Sequence, residues 1–331
     1  MDDKIGVMNV YTDLAIDSRE MASKEDIEIE GVRLDVEGDE NIRVTIVDIQ
    51  NENGKRLMKR PIGKYITIES ESMKINDVDT HEDIIKIMAQ KIGELTELKP
   101  TSAVLVVGLG NWSVTPDSLG PKVISKILVT RHLSDTGALP DALEGSLRSV
   151  CAISPGVMGQ TGIETLEIVK GIVDKVKPDL VVAVDALAAR QTNRINSTIQ
   201  MSNTGVSPGA GMCNKRLQIN EETLGTPVVA VGVPTVVDAA TLVNDTLDRM
   251  LDEIISQTTV GSEFYDMLKH LESEDKYRII EQILNPYAGN MFVTPKEVDA
   301  TIDRLSGIIA NALNIALHPG ISLSDINRYI G

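Results

Sequence analysis

Three unbroken aliphatic runs constrain this chain more than any other feature: Ala103 to Val107, Leu180 to Val184 and Val228 to Val233. None shows the in-out alternation of a strand with one wet face. A strand apolar on every side chain is buried on both faces, which calls for a parallel sheet with helices packed above and below. A fourth segment, Leu147 to Ile153, reads as a further strand. Helical spacing follows the runs. Val123, Ile124, Ile127 and Leu128 mark one helix, and Ile163, Leu166, Val169, Val173 and Val176 mark another that stops before Pro178. A third runs through Leu242 and Leu247. Strand and helix alternating through short links give βαβ units. The expected fold is α/β, a three-layer αβα arrangement on a mostly parallel sheet. Aromatics make up only 3% of the 331 residues, so the core is built of Val, Ile, Leu and Ala.

The flanks read differently. Residues 1–38 are polar and acidic, the pattern of a loosely held arm. Ile42 to Ile49 and Tyr65 to Ile68 read as strands, with Asn53-Gly54 as a turn between them. Thr80 is the expected cap of a helix carrying Ile84, Ile85, Ile87, Met88, Ile92 and Leu95, ended by Lys99-Pro100. Ile195 to Met201 alternates as an added strand, residues 260–290 look helical, and Val298, Ile302, Leu305, Ile309, Ala312 and Ala316 share one helical face. The expected division is residues 14–100 as a β-rich extension with its helix, 101–258 as the core carrying the site, and 259–331 as C-terminal helices. The net charge of −17 disfavours nucleic acid and anionic membrane as direct partners. Cys151 and Cys213 make no disulfide framework, and Cys151 reads as a reduced core thiol. With no membrane-spanning run and no signal peptide at the start, the expected location is the cytoplasm.

In an open parallel sheet the site lies beyond the carboxyl ends of the strands. Two motifs there are decoys. Ser134-Asp135-Thr136-Gly137 holds one Asp-Thr-Gly triplet, where pepsin-like enzymes need two, and reads as a solvated turn. Gly205-Val206-Ser207-Pro208-Gly209 fits Gly-x-Ser-x-Gly, but Pro208 forces Ser207 into extended geometry, against a nucleophile elbow. His81, His132, His270 and His318 form no paired metal motif and read as surface or cap residues. Gly108-Leu109-Gly110-Asn111 lacks the third glycine of a dinucleotide fingerprint. Asp117 and Asp185 remain. Asp185 follows an apolar strand and Asp117 sits in the turn after another. Each has a plain alternative: a helix N-cap for Asp117, a strand-end residue bonded to backbone amides for Asp185. Two neighbouring carboxylates can share one proton, so one can deprotonate water while the other protonates a leaving amine. That is peptide hydrolysis with no metal and no nucleophilic side chain.

The stretch Gly108 to Pro121 (GLGNWSVTPDSLGP), with Val182-Ala183-Val184-Asp185-Ala186, Ser207-Pro208-Gly209-Ala210-Gly211, Asn214-Lys215-Arg216 and Gly232-Val233-Pro234-Thr235, resembles the germination proteases of endospore-forming bacteria. The resemblance implies a phosphorylase/hydrolase-like three-layer αβα fold with a β-rich N-terminal extension, and an aspartic-type endopeptidase without cofactor or metal. It implies Asp117 and Asp185 as catalytic residues, small acid-soluble spore proteins as substrates, and a homotetramer in the forespore and spore core. It also implies a zymogen that removes its own N-terminal segment. Tyr11-Thr12-Asp13-Leu14-Ala15 matches the family's cleavage pattern, so residues 1–13 would be a propeptide cut between Asp13 and Leu14. The face from Val298 to Ala316 is a candidate subunit interface. A more distant resemblance, to hydrogenase maturation peptidases, leaves a metal-dependent peptidase as the alternative.

Overall fold

The computed structural model describes residues 12–22, 29–136, 145–208, 217–258 and 291–329. The strands are β1 (Val32–Gly38), β2 (Arg43–Ile49), β3 (Gly63–Glu69), β4 (Ala103–Gly108), β5 (Ser149–Ile153), β6 (Leu180–Ala189), β7 (Thr198–Ser202), β8 (Val228–Asp238) and β9 (Phe292–Val293). The helices are α1 (Ala15–Ala22), α2 (Glu52–Met58), α3 (Val78–Leu95), α4 (Leu119–Ile124), α5 (Arg131–Thr136), α6 (Met158–Thr161), α7 (Thr165–Val176), α8 (Glu221–Leu224), α9 (Ala239–Gln257), α10 (Val298–Leu317) and α11 (Leu323–Tyr329). Among the described residues the strands join in one sheet, ordered β1-β2-β3-β7-β8-β6-β4-β5, with β9 added beside β8.

The expected α/β class is correct, but the sheet is mixed rather than mostly parallel. Only β5, β4, β6 and β8 run parallel. The β1-β2-β3 meander, β7 and β9 pair antiparallel. Between β1 and β2 the link, residues 39–42, is too short for the crossover of a dozen or more residues that a parallel neighbour needs. The β-rich N-terminal extension supplies three strands, β1 to β3, of this same sheet.

Side-chain alternation along the parallel strands builds the layers. Val104, Val106, Val182 and Val184 point into a core with Ile84, Met88 and Ile92 of α3, Leu119 and Val123 of α4, and Ile302, Leu305 and Ile309 of α10. Leu105, Val107, Val181 and Ala183 point the other way, onto Val169 and Val173 of α7. The α10 face from Val298 to Ala316, the candidate subunit interface, packs inside the chain instead: its residues from Val298 to Ala312 are buried and Ala316 is half-buried against the same core.

Four local expectations change. Asn53-Gly54 is no turn: it lies inside α2, because the Asn51 side chain caps that helix by accepting from Gly54 N at 2.9 Å. The cap of α3 is Asp77, which accepts from Thr80 N and Thr80 Oγ1, so Thr80 is the capped residue. Arg131 to Thr136 is helical, so the first three residues of the Ser134 decoy are not a turn. His81 and His318 are buried rather than superficial, each with Nε2 against a backbone carbonyl: Ser72 O at 2.8 Å and Leu128 O at 3.0 Å. Cys151 is a half-buried thiol on β5 whose Sγ donates to Val104 O at 3.7 Å. Cys213, His270, residues 260–290 and the Asn214-Lys215-Arg216 motif lie outside the described residues.

Arg148 ties the C-terminus of α10 to the sheet. It donates to Lys99 O, Ala316 O, Leu317 O and Leu98 O, four carbonyls from two chain turns. His318 sits beside it. Burial, and then the charge of Arg148, hold the His318 imidazole below its ordinary 6.5, against the opposing pull of the Leu128 carbonyl. The unfolded chain therefore takes up a proton that the folded chain refuses. This contribution is complete above about pH 6.5 and declines as pH falls below it, with a limiting slope of about 1.4 kcal/mol per pH unit. His318→Gln should be less stable at pH 7.5 but lose less on moving to pH 5 than the parent does, as read from denaturant titrations at the two pH values.

Candidate active site

β4 ends at Gly108, whereas its neighbour β6 runs on to Ala189. Leu109 N still donates to Val184 O at 2.8 Å, one step beyond the ladder, and the chain then turns away. At Gly110 φ is +111°, in the left-handed region that glycine tolerates. A Cβ there would lie 2.1 Å from Asp117 O and 3.0 Å from Asp117 Oδ1, so the Asp117 residue rests directly on Gly110. Asn111 N donates to Asp117 O at 3.0 Å and closes the loop. Pro116 preorganises the 3₁₀ turn Thr115–Asp117, and Thr115 Oγ1 donates to Asp299 Oδ1 of α10 at 2.9 Å. Gly120, the second residue of α4, packs against Leu109 and Val184 backbone atoms too closely for any side chain.

Asp117 is half-buried and is not the N-cap of α4; Ser118 holds that position. Asp185 does not end its strand, as the apolar run implied. It sits mid-strand, 5% exposed, paired in register with Gly232, and β6 continues for four more residues alongside β8. Its Oδ1 accepts from Ala186 N at 2.9 Å. Val184, whose carbonyl receives Leu109, is the residue before it. Asp185 thus lies on β6 and Asp117 in the turn that follows the neighbouring β4, Asp185 buried and Asp117 nearer solvent.

The second pair of sequence-derived residues, Asp13 and Leu14, is not on a loose arm. From Thr12 on, the N-terminal segment is docked on the far end of β6. Asp13 N donates to Ala188 O at 3.0 Å, and Ala188 N donates back to Asp13 Oδ2 at 2.8 Å. Leu14 is completely buried among Leu187, Ala189, Ile195 and Val237, and Ala15 among Val47, Ile49, Met58 and Tyr65. Burying Leu14 and Ile16 is worth about 1.5–3 kcal/mol each, which falls short of the roughly 1–2 kcal/mol per residue spent on ordering the backbone of the whole segment. Polar contacts then decide the outcome. Arg60 donates to Thr12 O at 2.6 Å and to Ser18 Oγ at 3.1 Å. Asp17 accepts from Thr12 Oγ1 and Arg190 N and pairs with Arg194, which also holds Glu20 and Glu69. Burial opposes the charge on Arg194, but Glu20, Asp17 and Glu69 outweigh it and push its pKa further up, so it stays a cation.

Several organising residues escaped the sequence reading. Asn111 Oδ1 accepts from Ser113 N and from Gln160 Nε2 of α6 at 2.8 Å, joining the two loops at the sheet end. Gln200 and Arg194 hold the N-terminal segment across almost two hundred residues of chain. Gly-x-Gly-Asn was visible as a motif, but nothing local marks Gln160, Gln200 or Arg194. Val206 makes one isolated bridge with Ile219, so Ser207 follows no strand of a nucleophile elbow; Gly209 lies outside the described residues.

The sequence profile described as germination protease matches residues 10–263 and 252–330. A germination protease of Clostridium perfringens (strain SM101 / Type A) is 51% identical over 324 residues, covering 97% of this chain and 99% of its own. That of Clostridium tetani (strain Massachusetts / E88) is 49% identical, covering 98% and 100%. That of Bacillus licheniformis is 38% identical over 357 residues, covering 97% and 96%. The chain belongs to the germination protease family. It is a peptidase. Among the described residues no helix is long and apolar enough to cross a membrane. A crystal structure of the NiFe hydrogenase maturation protease HycI from Thermococcus kodakarensis KOD1 aligns with a TM-score of 0.32 and 17% identity over 67% of this chain and 98% of that one, a likeness too distant to bear on the chemistry.

In this member of the family the Asp117 loop depends on Gly110. Gly110→Ala adds both a backbone clash and a disfavoured φ, so it should cost about 1–3 kcal/mol and shift the Asp117 turn. A melting curve reads the first effect, and the amide shifts of residues 111–117 read the second.

Proposed function

We propose that the chain is an aspartic-type endopeptidase that begins the breakdown of small acid-soluble spore proteins during germination, and that Asp117 and Asp185 are its acid–base pair. The observation that carries it is Asp185 on β6 beside the turn that follows β4 and holds Asp117, with Leu109 bonded to the carbonyl just before Asp185 and Asp117 seated on Gly110. In this reading the two carboxylates meet near enough that they do not both ionise freely, and they share one proton. Burial favours the neutral form, which assigns the proton to Asp185 and the role of base to Asp117. Asp117 takes a proton from water as its oxygen bonds to the substrate carbonyl carbon. Asp185 gives its proton to the leaving nitrogen as the C–N bond breaks.

The same reading makes the chain a zymogen that cuts itself between Asp13 and Leu14, removing residues 1–13. It acts in the forespore and spore core as a homotetramer, with no metal or other cofactor and no direct contact with nucleic acid or membrane. The support for self-processing is the match of Thr12-Asp13-Leu14-Ala15 to the family's cleavage pattern, together with the docking of that segment on β6, the strand that carries Asp185.

Asp117→Asn and Asp185→Asn should each fold with a normal melting temperature and lose cleavage of a protein substrate by at least about 100-fold. N-terminal sequencing of the parent after processing should read Leu14-Ala15-Ile16. Near-normal turnover in either variant would remove the pair, and a different first residue would remove the assigned bond. EDTA should leave turnover unchanged; abolition by EDTA would favour the metal-dependent alternative.

A further inference from the structure

The ladders align five side-chain positions in one row across the sheet: Thr45 on β2, Thr67 on β3, Gln200 on β7, Gly232 on β8 and Asp185 on β6. Residues directly opposite one another across paired strands share a face. This row is therefore a single transverse stripe, facing away from α3 and α10, whose core takes the intervening Ile199, Met201, Val231 and Val184. All four side chains in it are polar and buried. The position between Gln200 and Asp185 is Gly232, and the Leu187 side chain lies over it, 2.5 Å from where a Cβ would stand. The N-terminal segment lies over this stripe, with Asp13 anchored to Ala188 of β6 and Ala15 packed near β2 and β3.

Gln200 holds the Asp13–Leu14 junction from both sides. Its Nε2 donates to Asp13 O at 3.1 Å, and its Oε1 accepts from Ala15 N at 2.6 Å. The partners fix the orientation of the carboxamide, since a carbonyl can only accept and an amide N–H can only donate. Asp13 O is the carbonyl oxygen of the bond assigned to self-processing.

We infer that Gln200 is a positioning residue for hydrolysis of the Asp13–Leu14 bond. The inference rests on the reading of Asp117 and Asp185 as the acid–base pair. In the step, the water oxygen bonds to the Asp13 carbonyl carbon and one water proton passes to Asp117. The carbon–nitrogen bond to Leu14 breaks, and Leu14 N receives the proton held by Asp185. Between these events the Asp13 oxygen carries negative charge, and a donor already aimed at it lowers the barrier. A glutamine suits the place because it supplies donor and acceptor on one planar group and stays neutral at every working pH, so it adds no charge to the carboxylate pair.

The test follows the appearance of the Leu14 terminus in the full-length chain. Gln200→Leu should slow it about 100-fold, the usual effect of losing one such donor. Gln200→Glu keeps the shape and the acceptor for Ala15 N but loses the donor. It should be slow at neutral pH and recover relative to the parent as pH falls and the glutamic acid gains a proton to donate. A residue needed only for packing would show no such recovery. Trimming at the parent rate by Gln200→Leu, in a series where Asp185→Asn blocks trimming, would overturn this inference alone. Trimming by Asp185→Asn, or a terminus other than Leu14, would overturn the acid–base or cleavage reading and this inference with it.

Discussion

The unequal length of two parallel neighbours governs the rest of this molecule. β4 and β6 share a ladder only as far as Gly108 and Val184. Beyond that level β6 keeps β8 on one side, while its other edge presents unpaired backbone groups inside a large protein. Buried N–H and C=O groups must find partners. Leu109 takes the first of these, the carbonyl of Val184, and Asp13 takes both groups of Ala188. The Asp117 loop and the docked N-terminal segment are thus two answers to one accounting problem. They come to lie on either side of Asp185 along the same strand edge.

Close backbone contact gives this arrangement its precision. Gly108, Gly110 and Gly120 each sit where a Cβ would overlap main-chain atoms, so β4, the Asp117 turn and α4 approach nearer than side chains would allow. Main-chain contacts do not relax as side chains do, and a carboxylate mounted on them is held by the fold rather than by its own rotamer. Asn111 extends the same economy outward, using one carboxamide to join its own loop to α6.

The parallel strands and the two aspartates were legible because buried strands carry continuous aliphatic runs, and the ends of such strands are where side chains converge. Asp185 was found for a slightly wrong reason. The aliphatic run breaks at it but the strand does not, since Leu187, Ala188 and Ala189 continue the ladder with β8 past a bulge. The antiparallel strands were legible one by one but not as part of the same sheet, because the β3–β7 pairing joins Ile66 to Met201 across all the elements from α3 to β6. The docked N-terminus was not legible at all. Asp13, Asp17 and Glu20 look like solvated acids until Ala188, Arg190 and Arg194 are brought to them, and Gln200 looks like a wet strand residue until that segment covers it.

Because residues 12–22 rest on Ala188, Arg194 and Gln200, their order of synthesis and their order of settling are opposed. They leave the ribosome before any of their supports has been made. They can take their places only once β6, β7 and β8 have closed the middle of the sheet. The opening stretch of this chain is therefore among the last parts of the structure to form.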